Sequence, residues 1–532
     1  MSATELTERL REFLKGNKVS EQLDSDLRSA IGVETGLERA LVGALEDRRN
    51  VIIAGSAGGG KTHLLHRVWA ESLDESHVCR WGREEEPEND EFVRIVPDAT
   101  AVPEASRLGL LEEVPDNCIC VAIAINEGPL LHLAREHPES GYSSAVEYLH
   151  QAQRGRALEL QEDQPVVLDV GGYDPIEDGV IGRLVGLPVL NNLVEECDCG
   201  DPDTCYRRKA WSLLEAPKVR DRLNDLLHLV KMQGRPVLFR QLWNFIDDIA
   251  TGGSCDGRPP TSPWYWRVFY GDSQLSVRLR EVADPELAVY PRVEAQLYHG
   301  NYRGEEVALA DQVKRLLSPP SPAPHSDDAT YQWLKSQMFF VGGGSSMLEI
   351  MRGQVDLKLK TAVEERQTER IVAALNDYMT YGTLDEVRGE LKLWTDFGVD
   401  HRTDRVEGQV SLGGIDARDL EVRQSYAVTN HHREDCILKG FRRFLVHDSA
   451  NASFALTPEV LNLLSGGRSY RTSDRHHTDL EWYLKEFYTA LASQTRYDDR
   501  MSVLDLDFDS MQGSEQEYHI LPELGQIEFS GR

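Results

Sequence analysis

Residues 51–62 constrain this chain more than any others. They read Val-Ile-Ile-Ala-Gly-Ser-Ala-Gly-Gly-Gly-Lys-Thr, a short apolar strand running into a glycine-rich turn that opens a helix near Lys61. Gly55 to Thr62 matches the eight-residue phosphate-loop pattern, and the flanking strand and helix are the context that pattern requires. The chemistry follows from the residue types. Backbone N–H groups of Gly55, Ser56, Ala57, Gly58, Gly59 and Gly60 can curl around phosphate oxygens, Lys61 can neutralise the outer phosphates, and the Thr62 hydroxyl can coordinate magnesium. The expected ligands are therefore ATP and Mg2+.

Three further apolar runs, at 92–96, 118–125 and 166–170, read as strands, with helix-compatible stretches between them such as 151–160. Continuous apolar strands alternating with helices predict an α/β core with a parallel sheet covered on both faces. The run at 118–125 ends in Asn126-Glu127, which makes Glu127 the first candidate for the water-activating base. Asn126 stands where an aspartate would bind metal more strongly. Asp169, at the end of the 166–170 run, is the second candidate, as a sensor of the outer phosphate or as the acid of the magnesium strand. Arg183 is a candidate arginine acting across a subunit boundary in a homo-oligomer. Arg240 opens a later helix, where it either reaches back to the nucleotide or pairs with Asn244 or Asp247.

The order of patterns gives a domain plan. Residues 1–30 hold an N-terminal amphipathic helix with Leu6, Leu10, Phe13 and Leu14 on one stripe. Residues 31–190 form the phosphate-loop core, and 191–317 a helical lid with a cysteine-containing insertion. In that lid Val219, Leu223, Leu226, Leu227 and Val230 share one helical face, as do Leu242, Phe245, Ile246 and Ile249. Residues 318–330 contain the Ser-Pro-Pro-Ser-Pro-Ala-Pro linker, and 331–532 a mixed α+β region with helix starts at Thr457 and Thr478 and an alternating strand over Leu504, Leu506 and Phe508.

Composition narrows the setting. The 532 residues carry 89 Asp and Glu against 58 Lys and Arg, a net charge of −31 spread along the whole length. That pattern suggests adaptation to a salty cytoplasm, where a Debye length of about 3 Å at 1 M salt leaves only short-range basic patches active toward DNA. Two such patches are Lys439, Arg442 and Arg443 with Phe441 and Phe444, and Arg468, Arg471, Arg475, His476 and His477; charge balance on a helix face is the plainer reading. The longest apolar run is too short to span a bilayer, so a soluble cytoplasmic protein is expected. Cys197, Cys199 and Cys205 either hold a Zn2+ ion with a fourth ligand, Cys255 being nearest in sequence, or form an ordinary reduced loop. Asn430-His431-His432 has no companion motif that would make it a metal nuclease.

Four blocks carry a resemblance: GSAGGGKTHLL at 55–65, AINEG at 124–128, FRQLWNFIDDIATGG at 239–253 and WYWRVFY at 264–270. With them the chain resembles the DptF-type ATPases of phosphorothioation-dependent DNA restriction systems, as an archaeal, halophilic member. The resemblance covers roughly the first half. It implies an AAA-like P-loop ATPase that works with nuclease or helicase subunits against DNA lacking a protective sulfur. Two other readings stay open from the residues alone: a protein-remodelling or signalling ATPase that never touches DNA, and a scaffold that binds nucleotide without turnover.

Overall fold

The four expected apolar strands all form and lie in one sheet. The structure, a computed structural model, describes residues 3–15, 25–56, 59–72, 78–80, 91–113, 116–156, 160–195, parts of 205–251 (217–232 and 237–251 continuously), 268, 271–283, 301–302, 305–306, 365–380, 389–400, 405–457, 460, 478–492, 500–507, 512–521 and 526–529. Helices α1 (Ala3–Lys15), α2 (Ser25–Ile31) and α3 (Gly36–Glu46) lead into β1 (Val51–Gly55) and α4 (Lys61–Ser72). Then come β2 (Val78–Arg80), β3 (Phe92–Val96), β4 (Cys118–Asn126), α5 (Glu127–Glu136), α6 (Gly141–Gln153) and β5 (Val166–Asp169). The strands run parallel in the order β5-β1-β4-β3-β2. The helix anticipated at 151–160 sits earlier, as α6.

Strand alternation sorts the core into two layers. Val51 and Ile53 of β1 pack with Leu37, Leu41, Leu45, Leu65 and Val68 of α3 and α4 on one face. Ile52 and Ala54 pack with Leu130, Leu133, Tyr142 and Leu149 of α5 and α6 on the other. Each fully buried aliphatic side chain contributes about 1.5–3 kcal/mol, so this two-sided burial makes the sheet a rigid platform for the loops at its ends. Thr35 caps α3 by accepting from the Glu38 N–H at 3.2 Å. A buried Glu38–Arg67 pair at 3.2 Å joins α3 to α4.

The helical piece follows as α7 (Val180–Val185), α8 (Pro188–Glu195), α9 (Pro217–Met232), α10 (Phe239–Thr251) and α11 (Gln274–Ala283). Both expected apolar faces are buried, from Val219 to Val230 on α9 and from Leu242 to Ile249 on α10. α9 and α10 pack against α7 and α11, and α1 packs against α8 with Leu10 fully buried. The N-terminal helix is thus a packing element. The 318–324 linker lies outside the described residues, and no described helix is long and apolar enough to cross a membrane.

The chain divides into two compact units. Unit one comprises Met1–Gln153, Ala157–Met351 and, unexpectedly, Tyr426–Phe441; unit two comprises Arg154–Arg156, Arg352–Ser425 and Arg442–Arg532. The later elements are α12 (Glu365–Met379), β6 (Glu390–Asp400), β7 (Arg405–Asp416), β8 (Glu421–Tyr426), β9 (Val428–Thr429), β10 (Lys439–His447), β11 (Ala452–Ala455), α13 (Thr478–Ala492), β12 (Arg500–Asp507), β13 (Gln512–Leu521) and β14 (Gln526–Phe529). β9 joins the first sheet antiparallel to β5, making it six-stranded and mixed. An antiparallel sheet of order β14-β13-β12-β7-β6, a smaller one of order β8-β10-β11 and a two-stranded antiparallel pair, Asn301–Tyr302 with Glu305–Glu306, are the other described sheets. The expected strand is observed as β12 as far as Asp507, with Leu504 fully buried and Phe508 outside the described residues, and the expected helix from Thr478 is α13.

The edge of β6 is closed by a side chain. Asn376 of α12, 1% exposed, donates Nδ2 to Glu390 O at 2.8 Å and accepts from Lys392 N at 3.1 Å, imitating the peptide of a missing neighbour strand. Asn376→Ala is expected to orphan both groups at about 1–3 kcal/mol each. A denaturant midpoint for the full chain unchanged from wild type would refute this.

Candidate active site

Adjacent strands β1 and β4 send their chains to opposite faces, β1 into α4 and β4 into α5. Beyond the carboxyl ends of two such strands the loops part, and a crevice opens where ligands of open α/β sheets bind. Lys61 lies there from the β1 side, and Asn126 and Glu127 from the β4 side.

Lys61 is buried, 8% exposed, and its ammonium donates to Gly55 O at 3.0 Å, Ser56 O at 2.9 Å and Asn126 Oδ1 at 2.8 Å. Burial lowers its pKa from the usual lysine value, against the opposing charges of Asp98 and Glu127. Both carboxylates are therefore close enough to feel the ammonium. Asn126 is the N-cap of α5, yet makes no side-chain cap hydrogen bond. A residue type that normally stabilises its own helix start by about 1 kcal/mol is turned toward Lys61 instead. Such a conflict between local rule and observed contact marks functional positions.

Gly55 and Gly60 have φ of 146° and 97°, values that L side chains rarely adopt, so the turn they bracket depends on glycine. Ala57 and Gly58 lie outside the described residues. Thr62 Oγ1 donates to Pro97 O at 3.1 Å, which points its lone pairs elsewhere and brings the loop after β3 against the start of α4. The next residue is Asp98, solvent-exposed, with Oδ1 accepting from Thr100 N at 2.9 Å. Sequence reading passes over Asp98, although the run Phe92–Val96 followed by Pro97-Asp98 is an apolar strand ending in an acid. Only the order β1-β4-β3 shows that this acid lies within electrostatic reach of Lys61.

Asp169 is 2% exposed and holds a turn: Oδ1 accepts from Gly172 N at 2.9 Å and Oδ2 from Gln153 Nε2 at 3.1 Å. The turn itself touches the glycine-rich loop that follows β1. Val170 N donates to Ala54 O at 3.0 Å, a Cβ built on Gly55 would meet Gly171 N at 3.3 Å, and one built on Gly171 would lie 3.7 Å from Glu127 Oε1. Arg183 pairs within its own chain, Nη2 to Asp178 Oδ2 at 2.7 Å. Asp178 also accepts from Gly36 N at 3.0 Å and from the Tyr173 hydroxyl. Arg240 is exposed on the first turn of α10.

The remaining candidates separate. Cys197, Cys199 and Cys255 lie outside the described residues, and Cys205 is buried and forms no disulfide among them. Of the first basic patch, Phe441 and Phe444 are buried in β10 while Lys439 and Arg442 are exposed, so a strand and not a helix presents the charges and neither ring is available for stacking. The second patch, 468–477, lies outside the described residues.

His431 is structural. It is 1% exposed, donates Nε2–H to Ala40 O at 3.0 Å and accepts from Arg433 N on Nδ1 at 3.1 Å. Burial lowers its pKa below the ordinary histidine value despite the Ala40 bond and the Asp47 charge. The unfolded chain therefore binds this proton more readily than the folded one. The stability that the neutral ring supplies is complete above about pH 6.5 and is lost as pH falls below it. Thermal melts between pH 7.5 and pH 5 should show this loss, and His431→Gln should flatten it; an equal slope in the variant would remove His431 as the cause. No family model matches the chain, and no curated protein or solved structure matches it either.

Proposed function

We propose that this chain is an AAA-like P-loop ATPase that binds ATP with Mg2+ at Gly55–Thr62 and hydrolyses it. The observation that carries the reading is the Lys61 ammonium at the sheet's switch point, held by Asn126 and flanked by the charges of Asp98 and Glu127. The donor set suits the ligands. Glycines at positive φ leave backbone room for phosphates, and Thr62 Oγ1 with the Asp98 carboxylate supplies the hard oxygens that Mg2+ prefers. When bound, Mg2+ would offset charge on the outer phosphate oxygens. Lys61 would exchange its carbonyl acceptors for phosphate oxygens, Asn126 would orient Lys61, and Glu127 would take the proton of the attacking water. Asp169 would act indirectly, by fixing the turn that borders the loop.

We further propose that the ATPase serves a phosphorothioation-dependent DNA restriction complex in the cytoplasm, with nuclease or helicase subunits as partners. The four resembling blocks support this assignment. The test is turnover with and without duplex DNA, unmodified and phosphorothioated, across a salt series. Unmodified DNA is expected to stimulate hydrolysis severalfold over phosphorothioated DNA. Robust turnover indifferent to every DNA would favour a protein-remodelling ATPase.

A further inference from the structure

The segment Tyr426–Phe441 belongs to the first unit, yet both its neighbours in the chain, Ser425 and Arg442, belong to the second. Its two ends bracket one turn. Asp169 N donates to Ala427 O at 2.7 Å, and Phe441 N donates to Gly172 O at 3.2 Å, with Tyr173 and Gly440 forming an antiparallel bridge. The ends are also joined to each other, Ala427 N donating to Leu438 O at 2.8 Å. The turn they grip, Asp169 to Tyr173, is the one that lies against Gly55 and Gly59 of the phosphate loop and beside Glu127.

Between its ends the segment is anchored at the opposite end of β5. Asn430, at φ 57°, donates Nδ2 to Gln161 O and Gln164 O at 3.0 Å and to Pro165 O at 3.2 Å. It also accepts from Gln161 N at 2.9 Å on Oδ1 and from Arg49 Nη1 at 2.8 Å on its backbone oxygen. Farther along, Arg433 binds Asp47 and Glu46 at 2.8 Å. The strap is therefore hydrogen-bonded both to the turn after β5 and to the chain that leads into β5, and each of its ends continues along the chain into the second unit.

We infer that Tyr426–Phe441 is a built-in coupling element through which the phosphate site and the second unit bias one another's conformation. The inference rests on the nucleotide reading. A ligand that repositions the phosphate loop displaces the Asp169–Tyr173 turn, and the turn is hydrogen-bonded to both connections at once. By linkage the effect is reciprocal: a change in the strap alters nucleotide affinity by the same free energy.

Hydrogen exchange of the full chain, with and without a non-hydrolysable ATP analogue and Mg2+, tests it. Peptides covering 55–62 should gain protection, and those covering 169–173, 426–441 and the adjoining second-unit stretches 421–425 and 442–447 should slow with them by about fivefold or more. Asn430→Gly keeps the left-handed backbone and deletes the amide, and should weaken analogue affinity by about fivefold although it lies at the far end of β5. Should that variant fail to fold, Arg433→Ala loosens the same segment at exposed pairs. Protection at 55–62 with 426–441 unchanged and affinity unaltered in a folded variant would overturn the coupling. No protection at any of these peptides would instead defeat the nucleotide reading and the coupling with it.

Discussion

Lys61→Ala is expected to lower ATP affinity by about a hundredfold or more, with the fold retained. A lysine that gives two charge-assisted hydrogen bonds to phosphate oxygens supplies about 1.5–3 kcal/mol through each, and every 1.4 kcal/mol is tenfold in affinity. Fold retention follows from the acceptors that Lys61 leaves behind. Gly55 O and Ser56 O border a loop at the sheet end, and Asn126, released from its 2.8 Å contact, can cap α5 instead, recovering about 1 kcal/mol. Calorimetric titration with ATP and Mg2+ measures the loss. Undiminished affinity in a folded Lys61→Ala protein would falsify the assignment of Gly55–Thr62 as the nucleotide site.

The strand β1 and the start of α4 were legible because their signal is local: apolar run, glycine turn and helix are contiguous in the sequence. The apolar faces of α9 and α10 were legible for the same reason, since periodicity along one helix is a local property. Two features were not. Asp98 becomes a candidate only when β3 is known to lie one strand beyond β4, because sheet order is decided by packing between elements distant in sequence. The strap 426–441 was hidden more thoroughly. β9 is two residues long and pairs with a strand some 260 positions earlier, so its own sequence carries no sign of its partner. Asn430-His431 has no companion motif in the sequence, and its polar groups satisfy the backbone of β5's approach and of α3. A buried polar side chain with its bonds complete looks, in sequence, like one held ready for a ligand.

The absence of an aspartate at 126 makes turnover the sharper question, and Glu127→Gln addresses it. Glu127 and Asp98 both place negative charge near Lys61, and only Glu127 sits on the strand end that also carries Asn126. Glutamine preserves shape and hydrogen-bonding reach but cannot accept a proton, and removal of a general base costs about 10²–10⁴ in rate. The variant should therefore retain ATP binding, slightly tightened because one carboxylate facing the phosphates is neutralised, while steady-state phosphate release falls by at least about a hundredfold. Asp98→Asn should behave differently. Its loss should appear first as a raised Mg2+ requirement, since a neutral amide is a poorer ligand for a hard cation, and excess Mg2+ should restore part of the rate. If Glu127→Gln turns over normally and Asp98→Asn is dead at every Mg2+ concentration, the base is Asp98 and the β4 assignment is wrong. If the wild-type chain binds ATP and neither it nor any variant releases phosphate, with or without DNA, the scaffold reading stands.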